Sequence, residues 1–495
     1  MTRSLRALKR WMRSQGIEYS DALVFTDGER GFGVKTLFDL EEGELIACIP
    51  KTACLTIKTS AARKLIEEME LDGALGLAVA IMYERSIGEK STWYGYLQFL
   101  PEKECVPLLW SSEEIDTCLV GTELHKIVKE DKKLVCQDWK ECIRPLLDDE
   151  DLKLDPCHFG VEQYFFAKSL IASRSFEVDD YHGFGMVPLA DIFNHKTGAE
   201  DVHFTLTSYS SDAEEEESAM DLDQKSTASH YDGPSRNSYL NANDGDIINH
   251  MKDSTSSSPE EFPEVLEMIM VRDVKAGCEV FNTYGNLGNA ALLHRYGFTE
   301  PDNPFDIVNM DLGLVCEWSS SSFSSRYSRS RLSTWRKMGF SGCISEKSEY
   351  FEISSCGQPQ PELVVLLYVM CLPENAYTKL CYHVPPFEDR DDALKFQLFG
   401  EIIDTVFGRK ITEKGDWMLT GRVCDALISL AHMRERLYGS TSLVEDMESL
   451  SKCLSLEQPK LHGSLSLRIS ERTILGKLRT YANHARRKKK HVSSS

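Results

Sequence analysis

A chain of 495 residues that is 42% hydrophobic and 27% charged can bury two or three packed units and lies outside disordered and collagen-like compositions. Its formal net charge of −22, from 56 basic and 78 acidic side chains, opposes a phosphate backbone and sets nucleic acid aside as a direct partner. Residues 1–16 carry Arg3, Arg6, Lys9, Arg10 and Arg13 without the apolar run a secretory signal needs. Leu5, Leu8, Trp11 and Met12 stand at helical spacing there, which predicts the first helix of the fold, with a basic transit peptide as the alternative. Residues 23–25, 33–37 and 44–49 read as short strands between Asp-Gly and Glu-Glu-Gly turns. Residues 61–175 turn helical, as at 74–87 and 161–173, and strand patterning returns over 186–207 and 264–283.

Between the last two stretches, residues 208–262 hold thirteen acidic side chains, three basic ones and twelve serines. Such a segment buries too little apolar surface to offset its ordering entropy, and it is predicted to be a disordered acidic loop. Ser and Arg dominate 319–330, which marks a second boundary. Beyond it the stripe Leu394, Leu398, Phe399, Ile402, Ile403 and Val406, and the stretches 419–437 and 469–482, have the helical period. The longest apolar run, 363–372, is ten residues, against the ~20 of a membrane-spanning helix. The tail ends in Arg486-Arg487-Lys488-Lys489-Lys490, a basic patch that reads as a nuclear address or a frayed end. The expected architecture is α+β: a β-rich core split by a helical insertion, then an all-α C-terminal domain. Its divisions are 1–60, the insertion 61–165, the returning core 166–310 with the loop 208–262, the helical domain 325–485 and the tail 486–495.

Fifteen cysteines lie between Cys48 and Cys453 with no C-x-x-C spacing, which argues against a disulfide framework or zinc cluster and for reduced thiols in the cytoplasm or nucleus. No metal is expected. Glu29-Arg30-Gly31-Phe32-Gly33-Val34 invites a dinucleotide-loop reading, but the third glycine of that fingerprint falls on Thr36 and a strand follows where a helix should. Asp191-Ile192-Phe193-Asn194-His195 places three polar side chains in an apolar stretch, and buried polar groups need partners. A metal site from Asp191, His195, Asp201 and His203 is one option, and a satisfied hydrogen-bond network is the other. Ser173-Arg174-Ser175-Phe176 ends a helix upstream. Asn282-Thr283-Tyr284-Gly285 precedes Asn289-Ala290-Ala291-Leu292-Leu293-His294-Arg295-Tyr296-Gly297-Phe298. Taken singly, Tyr284 and Tyr296 read as packing aromatics and Arg174 as a surface charge.

In order, these pieces resemble the SET domain, in the branch of protein methyltransferases typified by the Rubisco large-subunit lysine methyltransferase and its ribosomal-protein relatives. Phe99-Leu100-Pro101 and Cys105-Val106-Pro107-Leu108-Leu109-Trp110 are similar to the same branch. The resemblance covers nearly the whole chain. It implies transfer of the methyl group of S-adenosylmethionine to a lysine amine of a protein substrate, which docks on the helical domain. It also implies that Arg30, Gly31 and Phe32 hold the cofactor through backbone, that Asn194 and His195 meet its adenine and amino-acid portions, and that Arg174 meets its carboxylate. Tyr284 matches the tyrosine at the methyl-transfer channel, Tyr296 and Phe298 match walls of the lysine channel, and carbonyls of Ser173, Arg174 and Asp191 position the amine.

The chemistry needs such a channel whatever the family name. A free lysine is protonated at neutral pH, its pKa being near ~10.4, and an aromatic enclosure that penalises the ammonium releases the nucleophile. Lys196 after Asn194-His195 and the long acidic loop depart from the family's pattern and bear on substrate access. Scattered cysteines remove the zinc-bearing flanks of histone-directed relatives, so a non-histone substrate is expected, with a basic or ribosomal protein suited to the acidic loop, and the enzyme is expected to be a monomer. A histidine acceptor and an inactive scaffold that binds partners through its helices are the competing readings.

Overall fold

A computed structural model describes residues 3–28, 31–205, 265–341, 349–383, 392–407, 418–454 and 457–492. Arg30 and the acidic loop 208–262 therefore lie outside the described residues. The chain forms two compact units, Met1–Glu102 with Asp131–Thr283, and Lys103–Glu130 with Tyr284–Ser495.

In the first unit the helix Arg3–Ser14 buries Leu5, Leu8 and Met12 on one face, as the helical spacing predicts, with Arg6 and Arg10 exposed and Lys9 half-buried over the Phe25 ring at 4.6 Å. Among the described residues nine short strands follow: β1 (Glu18–Tyr19), β2 (Leu23–Gly28), β3 (Gly31–Thr36), β4 (Leu45–Pro50), β5 (Leu55–Thr56), β6 (Ser175–Asp179), β7 (Gly183–Met186), β8 (Val202–Thr205) and β9 (Val265–Met270). They make an antiparallel sheet of order β1-β4-β9-β8, a β2-β3 hairpin and a three-stranded sheet of order β5-β7-β6. The pairings Leu45↔Ile269 and Leu55↔Met186 join strands before the helical insertion to strands after it, so the insertion leaves the β unit whole. Among its helices, Gly73–Ser86 buries Leu77 to Met82 almost without interruption, and Val161–Arg174 packs on it. A helix apolar around most of its circumference is one the core surrounds.

In the second unit the helix Pro361–Cys371 is buried from Leu363 to Cys371. Around it pack the helices Leu312–Ser322, Ser325–Lys337 and Gly421–Glu435 and the 34-residue helix Pro459–Val492. Residues 103–130 belong to this unit, which the reading of 61–165 as one insertion does not anticipate. The physical reason is a small core in which Trp110, Ile115, Leu119, Leu124 and Val128 pack with Leu293 and Leu467.

Four local expectations need correction. Residues 187–201 are not strand: Leu189 takes φ 78°, a short 3-10 turn follows at Ala190–Ile192, and the chain runs irregularly to β8. Positive φ in a branched residue is costly and persists only where surrounding contacts hold it. The Ser-rich stretch 319–330 is no boundary. It ends one helix and starts the next, with the Ser324 hydroxyl accepting from the Tyr327 amide as an N-cap, the position serine favours. The C-terminal region is helical but carries, among the described residues, an antiparallel pair, β10 (Ile307–Asp311) with β11 (Tyr350–Ser354). The basic tail is not frayed, since the last helix continues through Val492, with Arg486 paired to Asp425 at 2.8 Å.

Candidate active site

The polar cluster of the first unit is built on the irregular segment 187–201. Its turn at Ala190–Ile192 buries Asp191, whose side chain is fully enclosed. The Oδ2 atom of Asp191 accepts from the Tyr96 hydroxyl at 2.9 Å and lies 3.4 Å from Nη1 of Arg174. The same guanidinium nitrogen donates to the Asp191 carbonyl at 3.2 Å. Arg174 is the last residue of the helix Val161–Arg174, so a rigid element delivers it, and its side chain is only about a quarter exposed (24%). Burial first, and then the Asp191 charge, push the Tyr96 phenol well above its ordinary pKa, so it stays a neutral donor. Ser173, one residue earlier in the helix, is half-buried.

Three residues after Asp191, the Asn194 amide donates to Oε1 of Glu279 at 2.8 Å, and its carbonyl accepts from the Asn282 amide at 2.9 Å. His195 makes a parallel bridge with Asn282, is 94% buried, and its Nε2 lies 3.3 Å from the Thr197 hydroxyl. The short strand-like run 279–282 is itself tied to β3, because the Val280 amide donates to the Val34 carbonyl at 2.8 Å. Gly33 on β3 has no side chain for a reason. A Cβ there would stand 2.7 Å from Nδ2 of Asn194 and 2.8 Å from Oε1 of Glu279. Gly31 starts the same strand at φ 92° with open space beside it, a backbone conformation that L side chains rarely adopt. The Phe32 and Phe99 rings sit 4.6 Å apart.

Asp191, His195, Asp201 and His203 do not converge. Asp201 accepts from Arg272 and from the Phe281 amide, His203 contacts Glu200, and no group of three metal-ligating side chains is placed for an ion among the described residues. The network reading of Asn194 and His195 is the one the structure contains.

The second unit carries an aromatic cluster. Tyr284 and Tyr296 stack with centroids 4.4 Å apart and planes at 27°, and Phe298 follows at 6.2 Å from Tyr296. All three are half-buried. Tyr296 ends the helix Asn289–Tyr296, and Gly297 caps it at φ 78° where a Cβ would meet the Cys105 carbonyl at 2.7 Å. At the other end the Asn289 amide donates to Oδ1 of Asp306 at 2.6 Å, which sets the helix's start. Desolvation pushes the Tyr296 phenol above its usual range, against the pull of Arg295.

Sequence reasoning missed Tyr96 and Glu279. Both act through partners far along the chain, Tyr96 on Asp191 and Glu279 on Asn194. A charged residue between Cys278 and the apolar pair Val280-Phe281 was the local signal for Glu279, and Tyr96 had none.

A model of the SET domain matches residues 31–285, just over half of the chain. N-lysine methyltransferase setd6 of Xenopus laevis is 23% identical over 482 residues, 94% of this chain and 93% of that protein. Ribosomal lysine N-methyltransferase 3 of Saccharomyces cerevisiae is 26% identical over 324 residues, covering 57% of this chain and 59% of that protein. Among solved structures, Rubisco LSMT bound to AdoMet superposes with a TM-score of 0.62 at 18% identity, over 98% of this chain and 92% of that one. The SET domain of LSMT bound to lysine and AdoHcy gives 0.62 at 20% identity, over 97% and 91%. At these identities the solved structures establish the shared fold.

Proposed function

Because the chain belongs to the SET-domain family, we propose that it is a protein-lysine N-methyltransferase that moves the methyl group of S-adenosylmethionine onto the lysine amine of a non-histone protein. The observation that carries the reading is the segment 191–195, which holds Arg174 through Asp191 and is itself held on 279–282 through Asn194. Its relatives named as lysine methyltransferases, setd6 and the yeast ribosomal enzyme, support the same activity.

The residues fit the cofactor. A partly exposed guanidinium, Arg174, suits a carboxylate. Gly31, with open space around its absent side chain, suits close approach along the β3 backbone, and Asn194 offers an amide already oriented by Glu279. Arg30, Gly31, Phe32, Arg174, Asn194, His195 and Tyr284 are the proposed cofactor residues. When bound, S-adenosylmethionine supplies an electrophilic methyl group on a sulfonium sulfur.

Tyr284 is proposed as the catalytic residue, with Tyr296 and Phe298 as walls for the lysine side chain and the carbonyls of Ser173, Arg174 and Asp191 as the groups that orient its nitrogen. The stacked rings are a poor solvent for an ammonium ion, which favours the neutral amine. Tyr296 remains an uncharged phenol because its burial opposes ionisation. Tyr284 adds a rigid oxygen for weak C–H···O contacts, and the orientation such walls impose is worth several kcal/mol of barrier, on the order of 7 at the low end of measured intramolecular cases. The helical region 325–485 is proposed to dock the protein substrate, a basic or ribosomal protein met in the cytoplasm or nucleus, with the enzyme acting as a monomer.

The test is incubation of the chain with methyl-labelled cofactor and cell extract, followed by mapping of the labelled residue. Labelled lysine that falls about 100-fold with Tyr284→Phe, a typical cost of losing one oriented polar group, is expected. Label on histidine, or no label beside demonstrable cofactor binding, overturns the reading.

A further inference from the structure

The second unit carries a cleft of about 570 Å³ whose lining includes Arg472, Lys477, Arg479, His484, Tyr481 and Cys356 and, among the described residues, no carboxylate. Arg472 is neutralised within the fold, its guanidinium bonding Glu435, Asp446 and the Thr441 carbonyl, so in this chain of net charge −22 the charge offered to an anion at the cleft comes from Lys477 and Arg479, and a locally cationic wall favours anions. Two carboxylates are taken up by the arginines: Arg472 bonds Glu435 and Asp446 at 2.7 and 2.6 Å, and Arg479 lies 3.6 Å from Glu435; Glu445 and Asp306 are within electrostatic reach of Arg472 and Lys477. Lys477 spends one of its three donors on a neutral group, the Ser355 carbonyl at 2.7 Å. Lys477 is exposed and lines the cleft.

Cys356 stands on the tight turn after β11, and that turn is pressed onto the long helix. Gly357, at φ 83°, lies so close that a Cβ would sit 2.5 Å from the carbonyl carbon of Lys477. The Gly357 amide donates to the Ser354 carbonyl at 2.7 Å. The thiol is thus held at the cleft while remaining exposed. Its pKa is lowered, chiefly by the Ser354 hydroxyl 3.1 Å from Sγ, with burial opposing and backbone amides and Lys477 assisting. A thiolate fraction at neutral pH is what disulfide exchange requires.

We propose that this cleft is a modification site at which Cys356 forms a mixed disulfide with a small disulfide bearing carboxylates, recognised by Lys477, Arg479 and His484. In the exchange the Cys356 thiolate attacks one sulfur of the incoming disulfide. The old S–S bond breaks, a new one forms to Sγ, and the other half leaves as a thiolate that takes up the proton Cys356 released. The oxidant is the incoming disulfide itself.

The full chain is treated with glutathione disulfide or, separately, with the dicationic disulfide cystamine, and the modified cysteine is followed by peptide mass mapping. Cys356 is expected to react about tenfold faster with the anionic reagent than with the cationic one, and faster than the exposed Cys105 and Cys157 of the same molecule. The preference shrinks at high ionic strength. Lys477→Glu is expected to invert it, and Lys477→Gln, which disturbs the helix less, to weaken it. Equal rates for the two reagents, or Cys356 reacting no faster than Cys105 and Cys157, overturn the proposal.

Discussion

Arg434 and Glu471 face each other at 3.3 Å inside the second unit, with side chains 6% and 1% exposed. The guanidinium also donates to the carbonyls of Asn309 and Gly121 at 3.0 and 2.6 Å, while Glu471 accepts from the Tyr438 hydroxyl at 2.5 Å and from the Glu123 amide at 3.1 Å. One cation therefore ties together β10, the segment after the helix Ser112–Cys118, and two helices of the C-terminal body. Two carboxyl groups, Glu471 and Glu123, share that cation. Burial pushes Glu471 up to about 7 against the pull of Arg434, and burial raises Glu123 as well, with Asp311 opposing and Lys126 assisting its ionisation.

A carboxyl raised above its unfolded value binds its proton more tightly in the folded state, so the stability it contributes is whole below about pH 4.5 and is lost as pH rises through 7. The span corresponds to roughly 3 kcal/mol at most. Glu471→Gln keeps an acceptor for Tyr438 and removes the titration. Its melting temperature should vary less between pH 5 and 7.5 than that of the parent, and parallel curves for the two proteins would count against a Glu471 carboxyl raised by burial.

Lys51 and Asp179 form the opposite case in the first unit, an ion pair at 2.6 Å with side chains 4% and 6% exposed. Burial works to raise the Asp179 pKa, yet hydrogen bonds from Lys51 and from the amide and ring of His182 outweigh it and hold the carboxyl far below its usual value. That stability is present above about pH 3.8 and disappears as pH falls through the folded value. Lys51→Met leaves the carboxylate enclosed with His182 alone and should cost about 3–5 kcal/mol. Urea unfolding at pH 7 and pH 4 measures both the loss and the expected shift of acid sensitivity to higher pH.

Gly33→Ala should weaken cofactor binding about tenfold, roughly 1.4 kcal/mol, because the new methyl must part Asn194 from Glu279. The displaced atoms are ends of flexible side chains, so the fold should tolerate the change with a melting temperature within a few degrees of the parent. Calorimetric titration with S-adenosylmethionine decides the matter, with Asn194→Ala as the reference for complete loss of that amide.

Arg331 is fully buried, with its guanidinium carbon 3.8 Å from the Tyr327 ring centroid and 4.0 Å from that of Tyr377. Its Nη1 donates to the Val369 carbonyl at 2.8 Å. A flat, delocalised cation fills a slot between two rings and a compact ammonium does not. Arg331→Lys should therefore destabilise the helical unit by about 2–4 kcal/mol despite retaining the charge. An equilibrium unfolding midpoint unchanged by the substitution would show that the slot recognises charge alone.

What the linear chain determined was local in origin. The period of Leu5, Leu8 and Met12 set the first helix and the turn chemistry before Gly33 set the β2-β3 hairpin, because each signal is written within a few positions of itself; Arg174, Asn194-His195 and Tyr284 were marked instead by their order along the chain, through its resemblance to the SET domain. Only the tertiary structure decided that Asp191 answers to Tyr96 and Arg174, that Asn194 answers to Glu279, and that residues 103–130 join the core of Leu293 and Leu467. Burying a polar group demands a partner but leaves its address open. Partners some 85 to 95 positions apart are chosen by how the whole chain packs, a choice that no neighbouring residue encodes.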